Sequence, residues 1–180
     1  MTTKVFIGGS RLIGRLNPVI RQRLDNMVDA GLDVLVGDAN GSDRAVQEHL
    51  ADRGYASVTV YCMLGACRNN VGGWRVHEVD GHGKRGYEFY SLKDAEMSAD
   101  ADCAFMIWDA KSKGTFANMV RTVDEGKPTV VYLSPTRECR DLRVRADLER
   151  LLDMCSAEDA TNLSAHLKRK PEQATLFTIE

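Results

Sequence analysis

Two segments of the chain carry groups suited to holding an anion, and each follows an apolar run. Gly8-Gly9-Ser10-Arg11 closes the run Val5-Phe6-Ile7. Paired glycines let a backbone approach a ligand closely and adopt positive φ. The amides and the Ser10 hydroxyl are donors for a phosphate, and Arg11 adds a positive charge. The second segment is Trp108-Asp109, then Ala110-Lys111-Ser112-Lys113-Gly114-Thr115, then a helical pattern carrying Asn118. A Gly-Thr pair at a helix start, with Ser112 ahead of it, presents unpaired amides at the positive end of a helix dipole. Lys111 and Lys113 raise the local potential or are simply solvated. The spacing is not that of a Walker A loop, so no ATPase is implied.

Other run ends add weaker candidates. Gly37-Asp38-Ala39-Asn40-Gly41-Ser42-Asp43 offers Asp38 as an acceptor for ribose hydroxyls. Asp43 stands in a first helical turn, where a carboxylate is favoured with or without a ligand. Arg68-Asn69-Asn70 provides a candidate phosphate clamp in Arg68. Asp109, at the end of a central strand, is the first candidate for a catalytic carboxylate and Asp38 the second; capping of the loop before the helix is the competing and slightly favoured explanation of Asp109. The binding set is thus Gly8, Gly9, Ser10, Arg11, Gly37, Asp38, Asp43, Arg68, Asn69, Asn70, Ser112, Lys113, Gly114, Thr115 and Asn118. Lys93, Asp94 and Trp108 stand behind it. His77 and His82 have neither helical zinc-ligand spacing nor zinc-finger spacing, so no metal is expected. Trp74, Tyr87 and Tyr90 flank the same region, as stacking surfaces or as anchors of a small core.

These loops need a scaffold that brings them together. Short apolar strands at Val5–Ile7, Val34–Val36, Val58–Tyr61, Ala104–Trp108 and Thr129–Leu133 alternate with helical patterns. That alternation predicts an α/β, Rossmann-like, doubly wound sheet, mostly parallel and five-stranded or slightly larger, with helices on both faces. Pro18 opens the first helix and Gly31 follows its end; Ser42 reads as the N-cap of the second. In such a sheet, ligands sit beyond the carboxyl ends of the strands where the strand order reverses. The first strand and Ala104–Trp108 should be neighbours there. The expected organisation is a nucleotide-binding core over 1–135, with a glycine-rich lid or hairpin at 62–86, and a helical extension over 136–180 packed on the same domain. Val144, Leu148, Leu151, Leu152 and Cys155 form an apolar stripe that suits core packing or a homo-oligomer interface. Residues 174–179 alternate weakly, as an edge strand does.

Bulk properties narrow the classes. With 180 residues, 43% hydrophobic and 28% charged, the chain suits one globular domain needing no disulfide or metal staple. A formal charge of -2 gives no basic excess, so no nucleic-acid partner is expected. The five cysteines are scattered with no CxxC pair, which predicts reduced thiols and a cytoplasmic location. No signal-peptide pattern and no membrane-length apolar run occurs.

The segments Gly8–Arg11, Gly37–Asp43, Arg68–Asn70, Lys93-Asp94 and Trp108–Asn118 together resemble the SLOG superfamily, which includes the cytokinin-activating phosphoribohydrolases, also called lysine-decarboxylase-like proteins. The likeness is greatest to its small bacterial members and spans residues 4 to 133. It implies a Rossmann-like fold and a nucleoside phosphate or ADP-ribose-like ligand, with no further cofactor required. One departure matters: the phosphoribohydrolase motif has glutamate three residues after its Gly-Thr, and here that residue is Asn118. An amide is neither a general base nor a nucleophile. The expected function is therefore binding of a nucleotide or nucleotide-derived phosphorylated ligand, as a sensor or binding protein. The alternative is an N-glycosidic-bond hydrolase or transferase, of phosphoribohydrolase or deoxyribosyltransferase type, using the remaining carboxylates.

Overall fold

Alternate side chains of the buried strands go to opposite faces of one sheet, and that alternation places the helices. The computed structural model describes residues 2–168. In chain order the elements are β1 (Lys4–Gly9), α1 (Pro18–Asp29), β2 (Asp33–Gly37), α2 (Ser42–Asp52), β3 (Val58–Met63), β4 (Arg75–Val79), α3 (Gly86–Asp100), β5 (Cys103–Trp108), α4 (Lys113–Asp124), β6 (Thr129–Leu133), β7 (Glu138–Leu142), α5 (Arg145–Leu152) and α6 (Ala157–Leu167). The sheet order is β4-β3-β2-β1-β5-β6-β7. All neighbours pair parallel except β6 with β7.

Val5, Ile7, Val34, Val36, Phe105 and Ile107 face one side, where they meet Ile20 and Leu24 of α1 and Val46 and Leu50 of α2. Phe6, Leu35, Met106 and Trp108 face the other, against Met97 of α3 and Phe116, Met119 and Val123 of α4. Leu148, Leu151 and Leu163 join this second core, so α5 and α6 extend the layer begun by α3 and α4. Leu148 and Leu151 of the stripe are thereby buried within the chain, Leu152 and Cys155 are partly buried against the same core, and Val144 is 55% exposed. Among the described residues, no helix is long and apolar enough to cross a membrane.

Local chemistry explains the ends that matter. Asn17 caps α1 by accepting from the Ile20 amide at 3.0 Å, with Pro18 in the first turn; this is the position where proline's missing N–H does no harm. Ser42 is the first helical residue of α2, not its cap, which is Gly41. The Ser42 hydroxyl instead donates to the Ser10 carbonyl at 2.8 Å, tying the β2–α2 loop to the β1–α1 loop.

The sheet is larger than the five apolar runs suggest. β4 and β7 are edge strands with exposed or half-exposed faces, so neither shows a continuous apolar run. β4 lies inside the 62–86 segment and pairs parallel to β3, which rules out a hairpin there. Cys62 and Cys67 are joined by a disulfide, with Cα atoms 4.9 Å apart, where the sequence predicts only thiols. A tight turn, in which the Ala66 amide donates to Met63 O, folds Cys67 back on the end of β3. The expected strand at 174–179 lies outside the described residues.

Candidate functional site

The strand order reverses between β1 and β5, and the loops that follow these two strands stand side by side. The Ser10 amide donates to Ile107 O at 2.9 Å, and the Ser10 hydroxyl donates to Asp109 Oδ2 at 2.6 Å. Gly9 is required at this junction: a Cβ there would lie 2.6 Å from Ile107 O and 2.7 Å from Ser42 Oγ. A cleft of about 600 Å³ opens over the two loops and is closed on its third side by α3.

The loops are built to stay still. Asp109 Oδ1 accepts from the Lys111 and Ser112 amides at 3.1 and 2.8 Å. The buried Trp108 indole donates to Ser112 O at 3.1 Å. Ser112 caps α4, its hydroxyl accepting from the Thr115 amide at 3.4 Å. Among the described residues, the first-turn amides of Lys113 and Gly114 have no acceptor. They face the cleft, whose rim also carries the exposed cations Arg11, Lys111 and Lys113. Free amides, a helix dipole and three cations converge on one place, and the ligand chemistry that fits is an anion.

The structure divides the predicted residues into those that line the cleft and those that hold it. Gly8, Gly9, Ser10, Arg11, Asp43, Lys93, Asp94, Asp109, Ser112, Lys113, Gly114, Thr115 and Asn118 line it. Gly37, Asp38, Arg68, Asn69, Asn70 and Trp108 do not; they lie behind the wall. Asp38 is not free to receive ribose hydroxyls. Its side chain is 1% exposed, and it accepts from the Arg68 amide at 3.0 Å, Nε at 3.1 Å and Nη2 at 2.6 Å. Burial pushes the Asp38 carboxyl upward, but the Arg68 hydrogen bonds and the Lys93 charge outweigh it and hold the group below its ordinary value.

Arg68 is thus a partner of Asp38, not a ligand clamp, and its guanidinium lies 4.5 Å from the Tyr90 ring centroid. Asn69 donates to Asp38 O at 2.7 Å. Asn70 closes its turn by donating to Trp74 O and accepting from the Trp74 amide. Ser10 has its one proton on Asp109, so it fixes the loop and leaves phosphate binding to the amides. Asp109 has both oxygens occupied. Both candidate catalytic carboxylates are thus engaged as acceptors that hold loops, Asp38 behind the wall and Asp109 at the cleft.

Beneath the loops lies a buried charge cluster. Lys93 Nζ donates to Asp94 Oδ1 at 2.9 Å and stands 3.8 Å from Asp38. Asp94 Oδ2 accepts from Asn118 Nδ2 at 3.1 Å, and Asn118 Oδ1 accepts from Arg121 at 2.8 Å. Burial alone would lower the Lys93 pKa; Asp94, Asp43 and Asp38 reverse that and raise it. Asp43 is driven the other way, with burial pushing its carboxyl up to about 6.

Sequence reasoning gave little weight to α3 as a wall. Tyr87 and Tyr90 line the cleft, whereas Trp74 does not, its indole donating to Tyr55 O at 2.8 Å. Leu12 stands at the rim 83% exposed. The signals available were Tyr87, Tyr90, Lys93 and Asp94 in one helical pattern directly after a glycine-rich segment. His77 stacks on Tyr61 and bonds Glu96, away from His82. Among the described residues, Asp38, Cys62 and Cys67 are close enough to share a metal. Their chemistry does not fit one, because the two sulfurs are bonded to each other and the carboxylate is held by Arg68.

No family model and no curated protein matches the chain. A solved structure does: that of DNA processing protein A from Helicobacter pylori, described for its single-stranded-DNA binding mode. The two are 16% identical with a TM-score of 0.57, over 92% of this chain and 80% of that one. The likeness establishes a Rossmann-like α/β fold with a mostly parallel seven-stranded sheet.

The comparison corrects two expectations. The nucleotide sensor and the N-glycosidic-bond enzyme both give way, because the matching fold belongs to a protein that binds a nucleic-acid strand. The exclusion of nucleic acid as a partner falls with them. The whole-chain charge of -2 is no ground for that exclusion, because the potential at a surface is set by its local charges and not by the average.

Proposed function

We propose that the chain binds single-stranded nucleic acid in the cleft between the β1–α1 loop, the start of α4 and the flank of α3. The observation that carries this reading is the union, in one open cleft, of phosphate-seeking groups with two aromatic side chains, the exposed Tyr87 and the half-buried Tyr90. Arg11, Lys111, Lys113 and the free amides at the start of α4 suit a backbone phosphate. Tyr90, Tyr87 and Leu12 supply the surfaces on which unpaired bases stack. A duplex offers its phosphates but not its base faces, so the rings favour a single strand. The fold shared with a single-stranded-DNA-binding protein supports the same reading. It calls for no cofactor and for a place of work inside the cell, and it is compatible with assignment of the chain to the SLOG superfamily.

The test is fluorescence anisotropy with a labelled short oligo(dT), titrated over a range of salt and competed with duplex and with free thymidine monophosphate. Each phosphate contact contributes about 0.7 to the slope of log affinity against log salt for a single strand. Arg11→Ala and Lys113→Ala should each weaken binding and flatten that slope. Absence of binding at low salt overturns the reading. So does competition by the free mononucleotide as strong as that by the oligonucleotide.

A further inference from the structure

We propose that the floor of the cleft reads one unpaired base by its polar edge, with guanine preferred, through the Asp43 carboxylate and the Lys93 ammonium. This rests on the single-strand reading above and adds to it a sequence preference, located in residues that the phosphate contacts do not need.

Asp43 and Lys93 line the cleft, yet Asp43 is 8% and Lys93 4% exposed. Burying charges is costly, and a merely structural cluster is expected to satisfy all its members. Asp94 meets that standard, with Lys93 on one oxygen and Asn118 on the other. Asp43 does not. Its Oδ2 accepts from the Ala39 amide at 3.2 Å, and among the described residues no protein donor reaches its Oδ1, which is open to solvent and not a buried orphan. An ionised carboxylate has room for about four hydrogen bonds, so Asp43 retains unused acceptor capacity at the edge of an open cleft.

The chain also makes space for this pair. Gly37 closes β2, and a Cβ there would lie 2.4 Å from Asp43 Oδ2 and 2.9 Å from Lys93 Nζ. Its φ is not in the left-handed region, so the turn does not demand glycine; the two charged side chains do. Phe6 and Met97 supply apolar lining beside them, which suits the flat body of a base.

Chemistry selects the base. A carboxylate only accepts, and an ammonium only donates. Guanine presents two adjacent N–H groups and a carbonyl along one edge, complementary to that pair. Thymine presents a single N–H flanked by two carbonyls and meets the carboxylate poorly. Reading an unstacked base by its Watson–Crick edge is an established mode of recognition.

Asp43 faces Asp38 at the end of β2, Arg68 after β3, and Lys93 and Asp94 of α3, with Arg121 of α4 reached through Asn118. With its carboxyl raised to about 6, Asp43 is ionised at neutral pH. It loses an acceptor and gains a mismatched donor as pH falls.

The experiment compares oligo(dT) with the same strand carrying one central dG, by anisotropy at about pH 7.5 and about pH 5. The expected result at the higher pH is about tenfold tighter binding of the dG strand, the scale of one bidentate base contact. Asp43→Asn should bring the ratio of the two affinities to about one, and so should the lower pH with the wild-type protein, which serves if the variant does not fold. Equal affinity of the two strands for the wild type, or a preference that survives both perturbations, overturns the base-reading proposal while leaving the single-strand reading in place. Absence of binding to either strand overturns both.

Discussion

Asp38→Asn isolates the contact that holds the cleft wall. The carboxylate is 1% exposed and accepts three hydrogen bonds from Arg68, with Lys93 Nζ 3.8 Å away. Breaking a buried ion pair from one side costs about 3–5 kcal/mol. Here Arg68 is 29% exposed and can turn toward water, and asparagine keeps one acceptor oxygen, so about 3 kcal/mol is expected at neutral pH. For a chain of this size that is a fall in Tm of about 6–12 °C by differential scanning calorimetry. The pH dependence has a definite sign. The folded-state pKa of Asp38 lies below its ordinary value of 3.8, so its contribution is complete above that value and disappears as pH falls through the folded-state value. The gap between wild type and variant should therefore close in acid. A double-mutant cycle with Arg68→Met should give a double variant less destabilised than the sum of the singles. A Tm change under about 2 °C at neutral pH, or a gap that stays constant into acid, would refute the reasoning.

Three further outcomes follow from the same geometry. Asp43, whose folded-state carboxyl is raised to about 6, contributes stability below its ordinary value that is lost as pH rises through 6. Asp43→Asn should therefore be at least as stable as wild type at about pH 7.5, and less stable relative to it at about pH 4, in paired denaturant titrations. Leu148→Ala should cost about 3 kcal/mol in urea unfolding, since Leu148 of α5 is fully buried in the α3–α4 core; a loss under about 1 kcal/mol would detach the C-terminal helices from that core. The paired variant Arg11→Ala/Lys113→Ala should reduce the salt slope of oligo(dT) binding by about 1.4, and by less if the two cations share a phosphate.

How far the sequence could be read depended on burial. The central strands are covered on both faces, so their apolar runs showed through, and with them the doubly wound order and the meeting of Gly8–Arg11 with Ser112–Thr115. β4 and β7 are edges with mixed faces, and nothing in Arg75–Val79 or Glu138–Leu142 distinguishes them from loop. Candidate side chains were identified by type and position, but their partners lay far along the chain. Asp38 and Arg68 are each plausible ligand groups alone; that they satisfy each other depends on the turn after β3, which local spacing does not reveal. The same holds for Ser10 and Asp109. Net charge conceals the distribution in a different way, because a value near zero averages a cationic rim over a buried floor of Asp43, Asp94 and Lys93.

The location of the bound strand is tested most directly by photocrosslinking. An oligonucleotide carrying 5-iododeoxyuridine, irradiated in complex and mapped by peptide mass spectrometry, should attach to Tyr90 or Tyr87. Crosslinks confined to the opposite face of the sheet, around Arg23 and Leu32, would contradict a strand lying in this cleft.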